Sequence, residues 1–315
     1  MHRLAIQSVC VAVFAGAALT LTACGDAATN HNNDTINGQQ SDSSEPFVEP
    51  ELHLSDLGGD RPSAVYVPAQ YTAAESWPLV VLLHGYTASG YLQDLYLGVS
   101  RHVDSRGFIL VTPDGLLNPD GNRFWNATDW CCDFYGQGPD DVGYVMTLID
   151  EAKSRYNINT QRVYLMGHSN GGFLAHRIAC EHADQIAGIM SLAGTSFKDA
   201  SDCQETGKVS VLHIHGTNDE TVLYDGKAGN PGYPGAVELV ERWRERNKCT
   251  STVESPSLIG IDQGVEGDDT AIVQATGCEA NREVELWTIE GGSHVPYFES
   301  DFTDRVLTFL FKQAR

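Results

Sequence analysis

Gly167-His168-Ser169-Asn170-Gly171 follows a short apolar run, Arg162 to Met166, and begins a segment with helical spacing. Strand, sharp turn and helix form the setting in which the pattern Gly-x-Ser-x-Gly makes a nucleophile elbow. Glycine is needed at both flanks because main-chain segments approach each other closely there. The turn leaves the serine hydroxyl free above the edge of the sheet. The stretch therefore predicts that Ser169 is a nucleophile.

Two further polar residues follow strand-like runs later in the chain. Asp219 comes after the apolar run Val209 to Gly216, and His294 comes after the alternating run Glu283 to Ile289. Serine, aspartate and histidine in this order along the chain are typical of α/β-hydrolases. Each of the three stands at the carboxyl end of a predicted strand, where sites form in open α/β sheets. We therefore predict a triad of Ser169, Asp219 and His294.

The chemistry of acyl transfer assigns a role to each member. A serine hydroxyl needs a base within hydrogen-bond reach, so His294 would take the proton of Ser169 and pass it to the leaving alkoxide. Asp219 would orient the imidazole and stabilise the imidazolium. Asp219 as a turn cap and His294 as a loop histidine without a role are the simpler alternatives. Structural positions are expected for the other histidines near these motifs: His168, His213 and His215.

An oxyanion hole needs two backbone N–H groups aimed at the developing negative charge. One is expected from Asn170, the residue after the nucleophile. The other is expected from the loop 84–90, His-Gly-Tyr-Thr-Ala-Ser-Gly, which follows the apolar run 77–83. Tyr86 is the predicted donor and Gly85 the alternative, while His84 is expected to brace the loop.

Several short motifs together resemble one known family. They are His-Gly-Tyr-Thr at 84–87, Trp-Asn-Ala at 125–127 with Cys131-Cys132, Asp-Asp-Val-Gly-Tyr at 140–144, Gly-His-Ser-Asn-Gly-Gly at 167–172, His-Gly-Thr-Asn-Asp at 215–219 and Gly-Gly-Ser-His at 291–294. The set is similar to that of bacterial secreted esterases related to polyhydroxybutyrate depolymerases and to feruloyl or acetylxylan esterases. The resemblance covers residue 50 or so to the C-terminus and implies the same triad. Many depolymerases carry an added substrate-binding domain, which is expected to be lacking here, so solid polymer should be a poor substrate.

Strands alternate with helices from residue 51 onwards. This alternation predicts an α/β-hydrolase fold with a mostly parallel central sheet and helices on both faces, forming one catalytic domain, 51–315. Strands are predicted at 64–67, 77–83, 108–113, 162–166, 186–192, 209–216 and 283–289, and helices at 91–105, 141–156, 170–181, 236–246 and 302–312. Asp140 or Asp141 is expected to cap the second of these helices.

The N-terminal residues are typical of an export signal. His2-Arg3 precedes an apolar stretch, and Leu21-Thr22-Ala23-Cys24 resembles a bacterial lipobox. We predict a lipoprotein signal peptide at 1–23, lipid on Cys24 and a disordered polar tether at 24–50. The alternative is an ordinary secretory signal with an incidental cysteine. The protein is thus expected to be exported, either anchored to a membrane or secreted.

Charge and composition exclude some partners. The chain has 20 Lys+Arg against 42 Asp+Glu, a formal charge of −22. A surface this acidic repels nucleic-acid phosphates. No cofactor, metal or obligate protein partner is expected, only a small-molecule or oligomeric ester and the lipid anchor. The acidic segment 262–269 does not fit a calcium loop and is expected to be a solvated hairpin tip.

Six cysteines follow the predicted signal peptide and Cys24, which predicts disulfides in an oxidising compartment. Cys249 and Cys278 bracket the acidic segment and are expected to pair. The other four, Cys131, Cys132, Cys180 and Cys203, allow three connectivities, one of which joins the adjacent pair.

Two long aromatic-rich loops are expected to flank the serine, at 118–138 and 224–235. From these loops, the predicted substrate-binding residues are Trp125, Trp130, Tyr135 and Tyr233. The alternative is that the aromatic rings pack as small satellite cores. Ester hydrolysis is the predicted function, with a peptidase of the same fold, or a catalytically silent surface-binding lipoprotein, as alternatives.

Overall fold

A computed structural model describes residues 53–54, 57–204 and 206–315, all of which lie in the compact unit Val48–Arg315. The predicted signal peptide at 1–23, Cys24 and the predicted tether at 24–50 lie outside the described residues. A search of the described residues for an apolar helix of membrane-spanning length gave no candidate.

The described residues build a ten-stranded sheet and two small two-stranded ribbons. In chain order the strands are β1 (His53–Leu54), β2 (Ala64–Tyr66), β3 (Trp77–Leu83), β4 (Ile109–Thr112), β5 (Leu116–Leu117), β6 (Arg123–Phe124), β7 (Ile158–His168), β8 (Gly188–Leu192), β9 (Ser210–Gly216), β10 (Gly226–Lys227), β11 (Tyr233–Pro234), β12 (Ser251–Glu254), β13 (Thr270–Thr276) and β14 (Val284–Ile289). The large sheet has the order β1-β2-β4-β3-β7-β8-β9-β14-β13-β12.

The six central strands, β4-β3-β7-β8-β9-β14, are all parallel, whereas the pairs at both ends of the sheet are antiparallel. Every residue of β3, β8 and β9 is buried. Near-continuous apolar strands are typical of parallel sheets covered on both faces. The predicted parallel sheet is therefore confirmed for its centre, and its antiparallel ends come from short or half-exposed strands that carry little periodic signal.

Helices cover both faces of this sheet. They are α1 (Gly90–Leu97), α2 (Val103–Arg106), α3 (Asp141–Arg155), α4 (Asn170–Glu181), α5 (Ala236–Arg246) and α6 (Phe302–Lys312). One apolar core includes residues of α3, α4 and α5, and a second includes residues of α6 on the other face. Asp140 caps α3 by accepting a hydrogen bond from the amide of Gly143 at 2.8 Å. The α/β-hydrolase prediction is confirmed by this arrangement.

The helix predicted over 91–105 is interrupted in the structure. Gly98 ends α1 in a left-handed conformation with φ of +65°, and its amide bonds to the carbonyl of Asp94. The Asp94 carboxylate then accepts from the amide of Ser100 at 2.8 Å. A 3₁₀ turn and the short α2 follow. The prediction of one long helix was wrong because the apolar spacing continues past Gly98. Glycine in a left-handed conformation favours the end of a helix.

The acidic segment is exposed at its tip, over 263–264 and 266–268, as expected from its composition, but its two end residues are buried. Asp262 and Asp269 are only 4% and 3% exposed, because their carboxylates accept hydrogen bonds from backbone amides. The Asp262 carboxylate also accepts from the backbone N–H of Tyr297 at 2.9 Å, and the backbone N–H of Gln263 donates to the Tyr297 carbonyl at 2.7 Å. The segment therefore packs against the loop that follows His294 and supports it.

Three disulfides form among the six cysteines of the described residues. Cys249 pairs with Cys278, as expected, and joins the end of α5 to the end of β13. The remaining cysteines pair as Cys131–Cys132 and Cys180–Cys203. The structure thus has one of the three connectivities that the sequence left open, the one with the adjacent pair.

Candidate active site

Ser169 occupies a sharp turn between β7 and α4. Its φ of 52° and ψ of −120° lie outside the usual regions for a residue with a side chain. A Cβ atom at Gly167 would lie 2.2 Å from the carbonyl oxygen of Gly171, and one at Gly171 would lie 2.2 Å from that of Leu83. Only glycine fits at either position, so the motif enforces the turn that presents the serine.

Ser169, His294 and Asp219 form one continuous line of hydrogen bonds. The Nε2 atom of His294 lies 2.9 Å from the Oγ of Ser169, and its Nδ1 atom lies 2.7 Å from the Oδ2 of Asp219. Both distances lie within the reach required between a nucleophile, its base and the group that orients the base. The structure brings together the three residues that the sequence predicted as a triad.

The carboxylate of Asp219 is buried and held from several directions. Its Oδ1 accepts from the amides of Thr221 and Val222, both at 2.8 Å. Burial raises its pKa, but hydrogen bonds from His215 and His294 and from the amide of Val222 outweigh burial. The pKa of Asp219 is therefore held well below its usual range, and the group is ionised where it faces His294.

Two backbone segments lie beside Ser169 at the positions predicted for an oxyanion hole. The amide of Asn170 lies at the N-terminus of α4, and Gly85 approaches so closely that a Cβ there would lie 3.5 Å from the Cβ of Ser169. The amide of Gly85 already donates to the Oε1 of Gln93 at 3.1 Å. This contact favours the amide of Tyr86 over that of Gly85 as the second donor.

His84 braces this loop. Its Nε2 accepts from the amide of Gly115 at 2.8 Å, so its Nδ1–H donates to the carbonyl of Gly85 at 2.7 Å. Burial lowers the pKa of His84 to about 4, so the ring is neutral at pH 7. The ring thereby holds the main chain on the Gly85 side of the candidate oxyanion hole.

The aromatic residues predicted to bind substrate divide into two groups. Trp125 and Tyr233 are 0% and 1% exposed, and their side chains hydrogen-bond to the backbone of His84 and Leu223. They support the loops and do not present a surface to a ligand. Trp130 is partly exposed and packs on Tyr233, and Tyr135 is 48% exposed. These two remain the candidate contacts.

The side chain of Asn170 ties the aromatic loop to the nucleophile helix. Its Oδ1 accepts from the amide of Trp125 at 2.7 Å, and its Nδ2 donates to the carbonyl of Trp125 at 2.9 Å. The loop is thereby fixed to the residue that follows Ser169, the predicted oxyanion donor.

Two histidines for which the sequence predicted only a structural role are in contact with the candidate triad. His168 donates its Nε2–H to the carbonyl of His294 at 3.0 Å, and burial lowers its pKa to about 4. His215 places its Nε2 3.2 Å from the Oδ2 of Asp219. Sequence position could have indicated these contacts, because His168 directly precedes Ser169 and His215 lies four residues before Asp219. No group of three or more metal-binding side chains occurs in the described part of the chain.

The sheet order, the helices on both faces and a serine elbow at a strand end define the α/β-hydrolase class. A solved acetyl xylan esterase from Aspergillus awamori superposes with a TM-score of 0.58 over 82% of this chain and 97% of that chain, at 11% identity. At this identity the likeness supports the fold alone.

The family model described as "Putative esterase" matches residues 55–305, and the chain belongs to this esterase family. The bifunctional acetylxylan esterase/xylanase XynS20E of Neocallimastix patriciarum is 30% identical over 76% of this chain. Feruloyl esterase B of Piromyces equi is 26% identical over 74%, and poly(3-hydroxyalkanoate) depolymerase C of Paucimonas lemoignei is 27% identical over 69%. The chain spans 31%, 42% and 54% of the lengths of these three relatives. The family resemblance seen in the motifs is thereby confirmed.

We expect the buried histidines to make the fold sensitive to mild acid. Burial lowers the pKa of His84 and His168 from 6.5 to about 4 and that of His176 to about 3. Between pH 6.5 and 5 the unfolded chain binds protons that the folded chain does not, so the free energy of unfolding falls as pH falls. Thermal unfolding across this interval measures the slope, and His84→Gln should flatten it. A melting temperature constant from pH 6.5 to 5 contradicts the expectation.

Proposed function

We propose that the protein is a serine carboxylic ester hydrolase that acts through Ser169, His294 and Asp219. The observation that carries the proposal is the unbroken line of hydrogen bonds from the Ser169 hydroxyl to a buried, ionised Asp219. Membership of the esterase family and relatives named as acetylxylan and feruloyl esterases support ester cleavage as the reaction.

The reaction would proceed in two acyl-transfer steps. Ser169 Oγ attacks the ester carbonyl carbon as His294 takes its proton, and the amides of Tyr86 and Asn170 donate to the resulting oxyanion. The carbon–oxygen bond to the alcohol then breaks, with the proton of His294 passing to the departing alkoxide. Water, deprotonated by His294, attacks the acyl carbon, the bond to Ser169 Oγ breaks as His294 returns the proton to that oxygen, and the acid is released. Asp219 stabilises the imidazolium in both steps.

The substrate is proposed to be an ester with an aromatic or short hydroxyalkanoate acyl group. Trp130, Tyr135 and Phe134 present partly or largely exposed rings on the loop that Asn170 ties to the nucleophile helix. Exposed aromatic rings favour contact with a flat, cinnamate-type acyl group. Relatives named feruloyl esterase and poly(3-hydroxyalkanoate) depolymerase are consistent with both classes.

We expect faster hydrolysis of methyl ferulate or hydroxybutyrate oligomers than of long-chain triglycerides. Initial rates across acyl chain length, cinnamate esters and oligomers test this order, with a peptide panel beside them. Chelators should leave the rates unchanged, because the triad needs no metal. A preference for long-chain lipids would refute the acyl-group proposal, cleavage of peptides alone would replace the esterase by a peptidase, and inactivity on both would favour a silent binding protein.

We further propose that the protein is exported and anchored by lipid on Cys24. The lipobox-like sequence Leu21 to Cys24 supports this, and the disulfides are consistent with an oxidising compartment. Mass spectrometry of protein extracted from membranes of the producing cell should find a chain that begins at a lipid-modified Cys24. A soluble protein with a free N-terminus elsewhere would contradict the anchor, and Cys24→Ser should release the protein from the membrane fraction.

A further inference from the structure

His215, in β9, contacts the candidate catalytic aspartate from within the core. Its Nε2 lies 3.2 Å from the Oδ2 of Asp219 and 2.8 Å from the carbonyl oxygen of Val222. Both oxygens can only accept a hydrogen bond, because the low pKa of Asp219 keeps it ionised. The Nε2 of His215 must therefore carry a proton. In the neutral ring the opposite atom, Nδ1, is an acceptor.

His213 continues this chain of contacts away from the triad. Its Nε2 lies 3.2 Å from the Nδ1 of His215, so His213 donates there. Burial, and the nearby rings of His215 and His176, lower the pKa of His213 well below its usual value, so the ring is neutral. Its Nδ1 is then an acceptor, and it has no hydrogen-bond partner among the described residues. A buried acceptor of this kind calls for a partner.

Two more buried polar groups without partners among the described residues lie beside His213. His176, on α4, has its ring centroid 5.6 Å from that of His213, and its Nδ1 accepts from the indole N–H of Trp243 at 3.0 Å. Its Nε2 therefore carries a proton that is not donated. Ser191 is the register partner of His213 on β8, and its Oγ is the second such group.

These groups lie on the face of the sheet that α4 covers. Neighbouring residues in register on parallel strands point to the same face, so Ser191 and His213 share a face. A Cβ at Gly172 would lie 2.7 Å from the Ser191 Oγ, and Gly172 precedes His176 by one turn of α4. One acceptor, one N–H and one hydroxyl match the three partners that a buried water typically has.

We propose that His215 is a positioning residue for Asp219, held in place by a polar chain through His213 that ends at a water site formed by Ser191, His213 and His176. The proposal rests on the proposed function, since it assigns Asp219 to the triad. The donors in the chain run from the water to His213 and from His213 to His215, whose Nε2–H is shared between the carbonyl of Val222 and the carboxylate of Asp219.

The physical role of this chain is to fix one rotation of the Asp219 carboxylate. The amides of Thr221 and Val222 hold Oδ1, while His215 and His294 share Oδ2. Without the His215 N–H, the negative charge of Oδ2 is directed to His294 alone, which favours the protonated imidazole. Activity requires the neutral imidazole, so the acid limb of the pH–kcat/KM profile should then move to higher pH.

The titratable groups around His215 and Asp219 come from several elements. They are His168 from β7, His176 from α4, His213 and His215 from β9, and Tyr224 and Tyr233 from the loop after Asp219. His168 does not compete for Asp219, because its Nε2 is bonded to the carbonyl of His294.

His215→Leu and His215→Gln in the full-length protein test the proposal with p-nitrophenyl acetate. We expect His215→Leu to lower kcat by about 10–100-fold, by analogy with the loss caused by removing a side chain that orients a metal-binding histidine or carboxylate. KM should change little and the acid limb should move to higher pH. His215→Gln keeps an N–H near the Nε2 position and should retain most activity with the limb unmoved. His182→Leu, at the C-cap of α4, is the matched control and should behave as wild type.

Losses that follow melting temperature in both variants, with the acid limb unmoved, would mean a packing role only and would overturn the proposal. If His215→Leu does not fold, His215→Asn replaces it, because its shorter amide does not reach Asp219. Asp219→Asn is measured in parallel. Full activity in Asp219→Asn refutes the triad itself, whereas its loss beside a fully active His215→Leu refutes only the positioning role.

Nitrogen-15 NMR of labelled histidines tests the far end of the chain without any activity measurement. We expect His213 and His176 to be neutral with the proton on Nε2 from pH 5 to 9. A Ser191→Ala variant should perturb the His213 Nδ1 signal, since it removes one partner of the water. A proton on the Nδ1 of His213, or no response to Ser191→Ala, would overturn the water site.

Discussion

We expect Ser169→Ala to abolish ester hydrolysis, with turnover falling by about 10⁶-fold, the loss seen when a serine protease loses its nucleophile. Ser169 supplies the only atom of the proposed site that bonds to the acyl carbon, and the residual rate would come from binding and the oxyanion donors. Initial rates on p-nitrophenyl acetate measure the effect. A fluorophosphonate probe should label the wild-type protein at Ser169 and leave the variant unlabelled.

The controls separate chemistry from folding. Alanine carries the same Cβ atom as serine, so the close backbone contacts at the flanking glycines do not change. The melting temperature of Ser169→Ala should therefore stay near that of the wild type. Ser201→Ala, in an exposed 3₁₀ turn, is the matched serine variant and should keep full activity. Most of the activity surviving in Ser169→Ala would show that the triad is wrongly assigned.

His294→Ala should be nearly as damaging as the loss of the nucleophile. The histidine is the base for both acyl-transfer steps, and in a triad the loss of the base alone removes about as much turnover as the loss of all members. The double variant Ser169→Ala/His294→Ala should therefore be no slower than either single variant. Only 16% of the His294 side chain is exposed, and it forms no part of either buried core.

Two measurements check this second prediction. Fluorophosphonate labelling of Ser169 should become much slower in His294→Ala, because the hydroxyl has lost its base. His182→Ala serves as the matched histidine control and should label at the wild-type rate. Losses that multiply in the double variant, beyond either single one, would mean that Ser169 and His294 act independently and not as one unit.

Ser169, Asp219 and His294 could be predicted from the sequence because each belongs to a short motif at the end of an apolar strand. A Cβ at Gly167 or Gly171 would lie only 2.2 Å from a main-chain oxygen, so only glycine fits at these positions. This steric requirement is visible in the sequence as the two glycines of the motif. Strands of the parallel centre are buried on both faces and therefore read as continuous apolar runs. The family resemblance rested on the same motifs.

Several features followed no local pattern. Trp125 and Tyr233 were predicted to contact substrate, and Asp262 and Asp269 were predicted to belong to a solvated tip, yet these four side chains are buried. Their burial depends on partners far along the chain, such as the carbonyl of His84 for Trp125 and the amide of Tyr297 for Asp262. Side-chain type alone does not reveal such partners.

The sequence by itself determined the α/β-hydrolase class, the nucleophile elbow and the identities of the three candidate catalytic residues, because strand apolarity and glycine requirements are local. Tertiary structure alone decided the pairing of the other four cysteines, the burial of Trp125 and Tyr233, and the contact of His215 with Asp219. These outcomes depend on distances between atoms from different strands and loops. Such distances are set by how the sheet and helices pack, and no short stretch of sequence contains them.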